Sequence, residues 1–221
     1  MPKQAVHPRL AKRAIPLICL LCAVAGSVDA AAYLLSGRVF VANMTGNTVL
    51  LAISLLQRNP REAALRGGLV AAFLAGVIIA RLLARIAGEA PTKAQRIAVL
   101  FIESIVLLML AWKNAGANTY LLLLLACILG IQNGAFRHIG GFHLNTTFIT
   151  GDLELLGEAI MNPRNSRAEV SAFVLSWVGY ACGALLGALG AVVFPHHGFL
   201  PSMLLAVASL IAVILTPERS G

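Results

Sequence analysis

Long apolar runs are the feature that most constrains this 221-residue chain. Several of them reach the ~20 residues that a helix needs to span a bilayer. Apolar residues make up 59% of the sequence and charged residues only 12%, whereas soluble domains carry about 25% charged residues. The runs are continuous rather than alternating, which argues against a transmembrane β-barrel. Because backbone groups in lipid must be satisfied within each segment, the sequence predicts an all-α, polytopic membrane helix bundle.

A polar motif interrupts the apolar pattern once in each half of the chain. Residues 40–51 read FVANMTGNTVLL, and residues 145–156 read NTTFITGDLELL. Each copy is a polar, extended stretch followed by Thr-Gly, then Asn or Asp, and then an apolar helical run. Paired breaks of this kind are typical of two homologous halves whose interrupted helices form a binding site at their junction.

The whole chain, residues 1–221, is predicted to form a single integral membrane domain with an internal repeat of residues 14–113 and 119–216. The repeat aligns Asp29 with Asn133, Gly37 with Gly141 and, after one inserted residue, Thr45 with Thr150. Each half should contain a span, a broken segment made of a strand and a half-helix, a span rich in small residues, and a plain span. We predict about six full spans and two broken segments: spans at 14–36, 66–87, 97–113, 119–139, 168–193 and 199–216, and broken segments at 39–58 and 140–161, with a polar turn at 57–66.

Small residues recur at every fourth position in one span of each half. A four-residue step places such residues on one face of a helix. Small side chains there let two backbones approach closely, which favours helix association in lipid. We therefore expect two tightly packed helix faces, formed by Gly68, Ala72, Gly76, Ala80 and Ala84 in the first half and by Gly179, Gly183, Gly187 and Ala191 in the second.

The net charge of +8 comes mainly from basic residues at the ends of apolar runs. This placement indicates membrane topology and lipid headgroup contact rather than nucleic-acid binding. If the broken segments re-enter the membrane, the halves are inverted and one side collects most of the basic residues, which favours a cytoplasmic N-terminus. If they cross fully, the halves are parallel and the asymmetry falls. The richer side would hold the tail, residues 1–13, with Arg81, Arg85, Lys93, Arg96, Arg137, Arg164, Arg167 and Arg219, against Arg38, Arg58, Arg61, Arg66 and Lys113.

The four cysteines lie inside apolar runs, where packing explains them better than metal binding. Neither a metal site nor a cofactor is predicted. The segment from Ile15 to Gly26 resembles a signal peptide. Its counterpart in the second half indicates instead a retained first helix.

The polar groups of the two breaks are the candidate substrate-binding residues. Gly46 and Gly151 free the backbone from side-chain sterics, and Asn47 and Asp152 are favoured helix N-caps. Helix N-terminal amides placed there would attract an anion or a carbonyl oxygen. The predicted set is Asn43, Thr45, Gly46, Asn47, Asn133, Arg137, Thr147, Thr150, Gly151 and Asp152.

Buried charge is costly in a membrane span and therefore tends to have a function. Asp29 and Asp152 are predicted to couple transport to a proton or cation, although Asp29 would also suit a hydrogen bond to a neighbouring helix. Arg137 is expected to pair with one of these acids, to bind substrate, or to reach the membrane surface. Glu103 is assigned a structural role.

The motif residues resemble the YoaK family. The resemblance lies in Ser36-Gly37, residues 41–47, residues 130–133, Arg137 and residues 146–153, and it extends over nearly the whole chain. It implies a bacterial inner-membrane protein with about six helices and no assigned function. It supplies neither a substrate nor catalytic residues.

These observations favour a small secondary transporter of a polar or anionic solute, with its site at the two Thr-Gly-Asn/Asp breaks. The alternatives are a passive channel, a membrane-embedded enzyme using His143 and Asp152, and a scaffold protein. Because catalytic motifs are absent from the sequence, an enzyme is not predicted. The expected partners are the lipid bilayer and a small solute, and a homodimer is left open.

Overall fold

The computed structural model describes residues 8–88, 90–112, 118–147, 149–161 and 167–216, with side chains from residue 14 onward. Within these residues the chain forms eight α-helices, one two-stranded hairpin and a 3₁₀ turn at Pro195–His197. The first four helices are α1 (Pro8–Leu35), α2 (Met44–Leu56), α3 (Pro60–Ile86) and α4 (Lys93–Trp112). The other elements are α5 (Thr119–Ala135), β1 (His138–Ile139), β2 (Phe142–His143), α6 (Thr150–Met161), α7 (Arg167–Val193) and α8 (Leu200–Leu215).

Five helices in the described part of the chain are long and apolar enough to cross a bilayer. They are α1, α3, α4, α7 and α8. The fourth predicted span, α5, has 17 residues and lies at the short limit for a crossing helix. Helices α2 and α6, with 13 and 12 residues, are too short to cross. The all-helical architecture is therefore confirmed, with five rather than six helices of clear spanning length.

Two helices begin earlier than predicted because their first turns are capped. The side chain of Asn59 accepts a hydrogen bond from the Glu62 N–H at 3.3 Å, and Pro60 occupies the first turn of α3. The predicted polar turn at 57–66 therefore ends at Asn59. Thr92 and Gln95 cap α4 reciprocally at 2.9 and 3.2 Å, so that helix begins at Lys93 rather than at 97.

Helix α5 ends before the predicted boundary at 139 because the chain turns into the β1–β2 hairpin. Gly140 and Gly141 form its turn with φ values of 60° and 92°. This left-handed conformation is available to glycine at little cost. Arg96 donates to the carbonyl of Ala135, the last residue of α5, and to the His138 carbonyl of the hairpin, both at 3.2 Å. The strand portion of the second broken segment therefore starts at His138.

The closest helix packing joins α1 to α7 and α3 to α5, with the helices parallel in each pair. A Cβ atom added at Gly183 would collide with the Ala23 carbonyl, and one at Gly76 would collide with the Cys127 carbonyl. Because both contacts are with backbone, no side-chain rotation relieves them. The expected role of the small-residue ladders in close helix packing is confirmed at these positions.

The segment that contains each short helix leaves the bundle and returns to it at the same end. One cavity of about 620 Å³ is lined by Leu35 at the end of α1, Gly37 just after it, Asn59 before α3 and Thr119 at the start of α5. We call this the cavity end, and the opposite end, which carries the β1–β2 hairpin, the hairpin end. The segment between α1 and α3 thus leaves the cavity end and returns to it. Three of the basic residues used in the topology argument, Lys113, Arg164 and Arg219, lie outside the described residues, as does most of the tail and the end of the predicted third span.

Candidate functional site

The first break is fixed by a buried carboxylate. We call residues 38–47 elbow one. Asp29, which is only 2% exposed, accepts hydrogen bonds at its Oδ1 from the backbone N–H groups of Val41 and Ala42, both at 2.7 Å. Its Oδ2 accepts from the Tyr180 hydroxyl of α7 at 2.8 Å. Asp29 therefore joins elbow one to both helices of the α1–α7 pair.

Two asparagines complete elbow one. Asn47 accepts from the Phe40 N–H at 3.0 Å and donates to the Phe40 carbonyl at 2.6 Å. Asn43 caps α2 by accepting from the Gly46 N–H at 3.0 Å. A Cβ at Gly46 would come within 2.7 Å of the Phe40 ring, which explains the glycine. The Thr-Gly-Asn sequence therefore folds back on Phe40 and starts α2.

The second break repeats this arrangement. We call residues 144–152 elbow two. Asn133 Oδ1 accepts from the Thr146 N–H at 3.0 Å, as Asp29 does in elbow one. Asp152 Oδ1 accepts from the Asn145 N–H at 3.1 Å, as Asn47 does from Phe40. The residues that the sequence alignment pairs thus occupy matching positions.

The expectation of free helix amides is not met at Gly46, in the first turn of α2, because Asn43 accepts from its N–H. The Val41 and Ala42 amides that precede α2 are held by Asp29. The acceptors thus come from elbow one itself at Asn43 and from α1 at Asp29. A carboxylate close to these amides also opposes the approach of an anion.

Both elbows are connected to the α1–α7 pair, elbow one through Asp29 of α1, which Tyr180 of α7 also binds. Cys22 of α1 contacts the Asn145 carbonyl of elbow two, with a sulfur–oxygen distance of 4.0 Å. Asp29 lies two turns further along α1, about 10 Å away on the helical rise. On α7, Ser176 lies beside Asp152 and Tyr180 binds Asp29. The two elbows therefore contact the same helix pair at neighbouring depths.

Elbow two contains two buried polar atoms without a hydrogen-bond partner among the described residues. They are Asp152 Oδ2 and Thr147 Oγ1, and both residues are fully buried. The Ser176 hydroxyl donates to the Phe173 carbonyl of its own helix at 2.8 Å. A buried carboxylate oxygen without a donor is energetically unfavourable and is free to accept a proton or a solute donor.

Four other predicted site residues do not add to this buried group. Thr45 and Thr150 are exposed, and Gly151 is half-buried. Arg137 donates to His143 Nε2 at 3.0 Å in the hairpin rather than pairing with Asp152 or Asp29. Burial, with the nearby positive charge of Arg137 next in importance, lowers the pKa of His143, which therefore stays neutral near pH 7.

Sequence reasoning missed two partners of the buried acids. Tyr180 was not singled out, although it is the only tyrosine within the small-residue ladder of α7. Glu103 was assigned a structural role without a partner. Its carboxylate faces the Gln132 side-chain amide, whose nitrogen, when turned toward it, donates to both carboxylate oxygens at 3.0 and 2.6 Å. The sequence signal that could have indicated this pairing is the presence of two adjacent polar residues, Gln132 and Asn133, in the apolar helix α5.

Arg66 joins α2 to α3, and its removal is expected to loosen elbow one. Its guanidinium contacts the Ser54 hydroxyl, pairs with Glu62 at 2.7 Å and donates to the Leu50 carbonyl at 3.4 Å. Arg66→Ala should lower stability by about 1.5–3 kcal/mol, the scale of a hydrogen bond to a charged group. Thermal unfolding in detergent measures this loss. The exposed Arg58→Ala is the control, and equal stability of the two variants would contradict the assignment.

The fold defines a polytopic helical membrane protein. The chain belongs to the family described as protein of unknown function (DUF1275), whose members match residues 17–216. The UPF0700 transmembrane protein YoaK of Bacillus subtilis (strain 168) is 32% identical over 183 residues, which is 80% of each chain. No solved structure matches this chain. The resemblance to the YoaK family is thereby confirmed, and the chain is a multi-pass membrane protein.

Proposed function

We propose that this protein is a small secondary transporter of a polar solute, with its site at the two elbows. The observation that carries the proposal is the unpartnered Asp152 Oδ2, buried in elbow two. A buried acceptor suits a solute that donates a hydrogen bond. The same carboxylate is a suitable site for an exchanging proton.

Asp29 and Asp152 supply the coupling. Each carboxylate holds backbone amides of one elbow, so adding a proton weakens the acceptor that keeps that elbow folded. Because Asp29 binds Tyr180 of α7 and elbow two contacts Cys22 of α1, a change at either elbow reaches the α1–α7 pair. The small residues between α1 and α7 give these helices a smooth face for a small relative shift.

The topology follows from where basic residues lie. We propose that both elbows re-enter a bacterial inner membrane, with the hairpin end and the N-terminus in the cytoplasm. The described basic residues support this orientation. At the hairpin end are Arg81, Arg85, Lys93, Arg96, Arg137 and Arg167, and at the cavity end are Arg38, Arg58, Arg61 and Arg66.

Proton flux in proteoliposomes tests this function. Vesicles containing the protein and a pH-sensitive dye receive gradients of amino acids, sugars, polyols, organic acids and amines in turn. At least one solute should drive proton movement, and Asp152→Asn should abolish it. This variant keeps the Oδ1 acceptor for Asn145, as the natural asparagine at position 47 does for Phe40.

Arg58→Gln, an exposed change at the cavity end, is the control for reconstitution. The proposal fails if no solute moves protons, or if Asp152→Asn carries the same solute-driven flux as the parent protein.

A further inference from the structure

A lateral groove runs beside Asp29 between α1 and α7. We call it the Asp29 groove. Its volume is about 360 Å³, and its lining includes Asp29, Tyr33, Phe40 and Tyr180 together with the small residues Gly26 and Ala184. The small residues let the two helices touch, and the groove lies along their shared surface. The aromatic residues and the acid supply its chemistry.

The groove has the electrostatics of a cation site. Asp29 is its acidic residue, and no basic residue lines it in the described part of the chain. The rings of Tyr33 and Phe40 stack with centroids 5.2 Å apart and planes 24° from parallel. Aromatic faces attract organic cations, and the attraction strengthens when water is excluded.

The mouth of the groove opens to the outer surface of the helix pair. Tyr33 is 37% exposed and Leu34, which also lines the groove, is 51% exposed. In a bilayer this surface faces lipid. A ligand with an apolar body would therefore reach Asp29 from the side.

The matching positions of the α3–α5 pair carry different side chains. Gly130 packs against the Phe73 carbonyl and Val77 N as Gly26 packs against the Tyr180 carbonyl and Ala184 N. Applying the same correspondence along the helices, Asn133, Arg137 and Arg81 stand where the Asp29 groove has Asp29, Tyr33 and Ala188. The combination of acid and aromatic rings is therefore particular to α1–α7, and general helix packing does not require it.

We propose that the Asp29 groove binds a monovalent organic cation with an apolar or aromatic body, which enters laterally from the bilayer. Transport of this cation rests on the proposed function, but its binding can be measured without transport. A lipid chain or a second copy of this protein would fill an apolar groove without needing the carboxylate. Dependence on Asp29 therefore separates the cation from those occupants.

Isothermal titration calorimetry with benzyltrimethylammonium tests the proposal, using the protein in nanodiscs of neutral phosphatidylcholine. The parent protein should bind saturably. Asp29→Asn should weaken binding at least about tenfold, because it removes the charge, while Asn133 shows that asparagine can hold an elbow. Ala188→Leu, which fills the groove, should weaken binding similarly. Tyr33→Leu should weaken it about two- to fivefold, the scale of one cation–π contact.

Matched controls lie outside the groove. Glu158→Gln removes an exposed carboxylate of α6, and Cys182→Leu enlarges an exposed side chain of α7. Both should bind like the parent. Equal affinity in all variants, or equally tight binding of benzenesulfonate, would overturn the proposal. Asp29-dependent binding without cation-driven proton flux would retain the groove and reject transport, and flux without groove binding would reject the groove.

Discussion

Replacing Asp29 by alanine should destabilise the protein by at least about 3 kcal/mol. The substitution leaves two buried donors, the Val41 and Ala42 N–H groups, and the part-buried Tyr180 hydroxyl without an acceptor. Each unsatisfied buried donor costs about 1–3 kcal/mol. Thermal or SDS-induced unfolding of the purified protein measures the loss.

Asp29→Asn is the matched control for this prediction. Its side-chain oxygen can accept from elbow one, as Asn133 accepts from Thr146 in elbow two. We expect it to retain most of the stability lost in Asp29→Ala. If the two variants were equally stable, the side-chain oxygen at position 29 would not be what holds elbow one.

Gly183→Ala should separate α1 from α7 and produce the second large effect. Its Cβ would collide with the Ala23 carbonyl, so one helix backbone must move. Overpacking typically costs about 1–3 kcal/mol, and contact with a backbone that cannot rotate away places this case at the upper end. The same unfolding measurements apply, and the α1–α7 contacts around Asp29 should weaken as well.

Gly157→Ala is the comparison variant, and its expected effect on stability has the opposite sign. Gly157 lies in α6 with open space where a Cβ would stand. Alanine there should stabilise the helix by up to about 1 kcal/mol. Equal effects of the two substitutions would show that close approach of α1 and α7 is not required.

Local signals in the sequence account for much of this fold. The apolar runs predict the spanning helices, because a bilayer demands length and hydrophobicity from each segment alone. The start of α2 follows from Asn43 and the Thr-Gly-Asn turn, which are local in the chain. The four-residue spacing of small residues predicts which face of α3 and α7 packs, although not which helix it packs against.

Long-range partners could not be predicted in the same way. Asp29 stood out as a charged residue deep in a span, but its partners Val41 and Tyr180 are brought to it by folding of elbow one and by the α1–α7 pairing. Arg66 was placed in a polar turn because charge usually marks a loop. Its burial depends on Ser54 of α2, and the signal that was available is its four-residue spacing from Glu62.

The prediction that the solute could be an anion shows another limit of reasoning from the sequence. Helix starts in a membrane protein suggest free amides, but a side chain can occupy them from the same elbow or from a neighbouring helix. Asn43 does so at Gly46 of α2, and Asn133 holds the Thr146 N–H ahead of α6. Only coordinates distinguish an amide that is open to a ligand from one that is already bonded. The substrate-binding roles of the individual elbow residues stay predictions.

The central claim is that the elbows re-enter the membrane rather than cross it. The most direct test is to measure on which side of the membrane the two ends of the segment around elbow one are accessible. Arg38 and Arg58 flank elbow one and α2, and both are exposed. Each is changed to cysteine in a background whose four native cysteines are replaced by alanine. A membrane-impermeant maleimide should label both positions from the same, periplasmic side of the membrane. Labelling of the two positions from opposite sides would show that the segment crosses the membrane and would contradict the account.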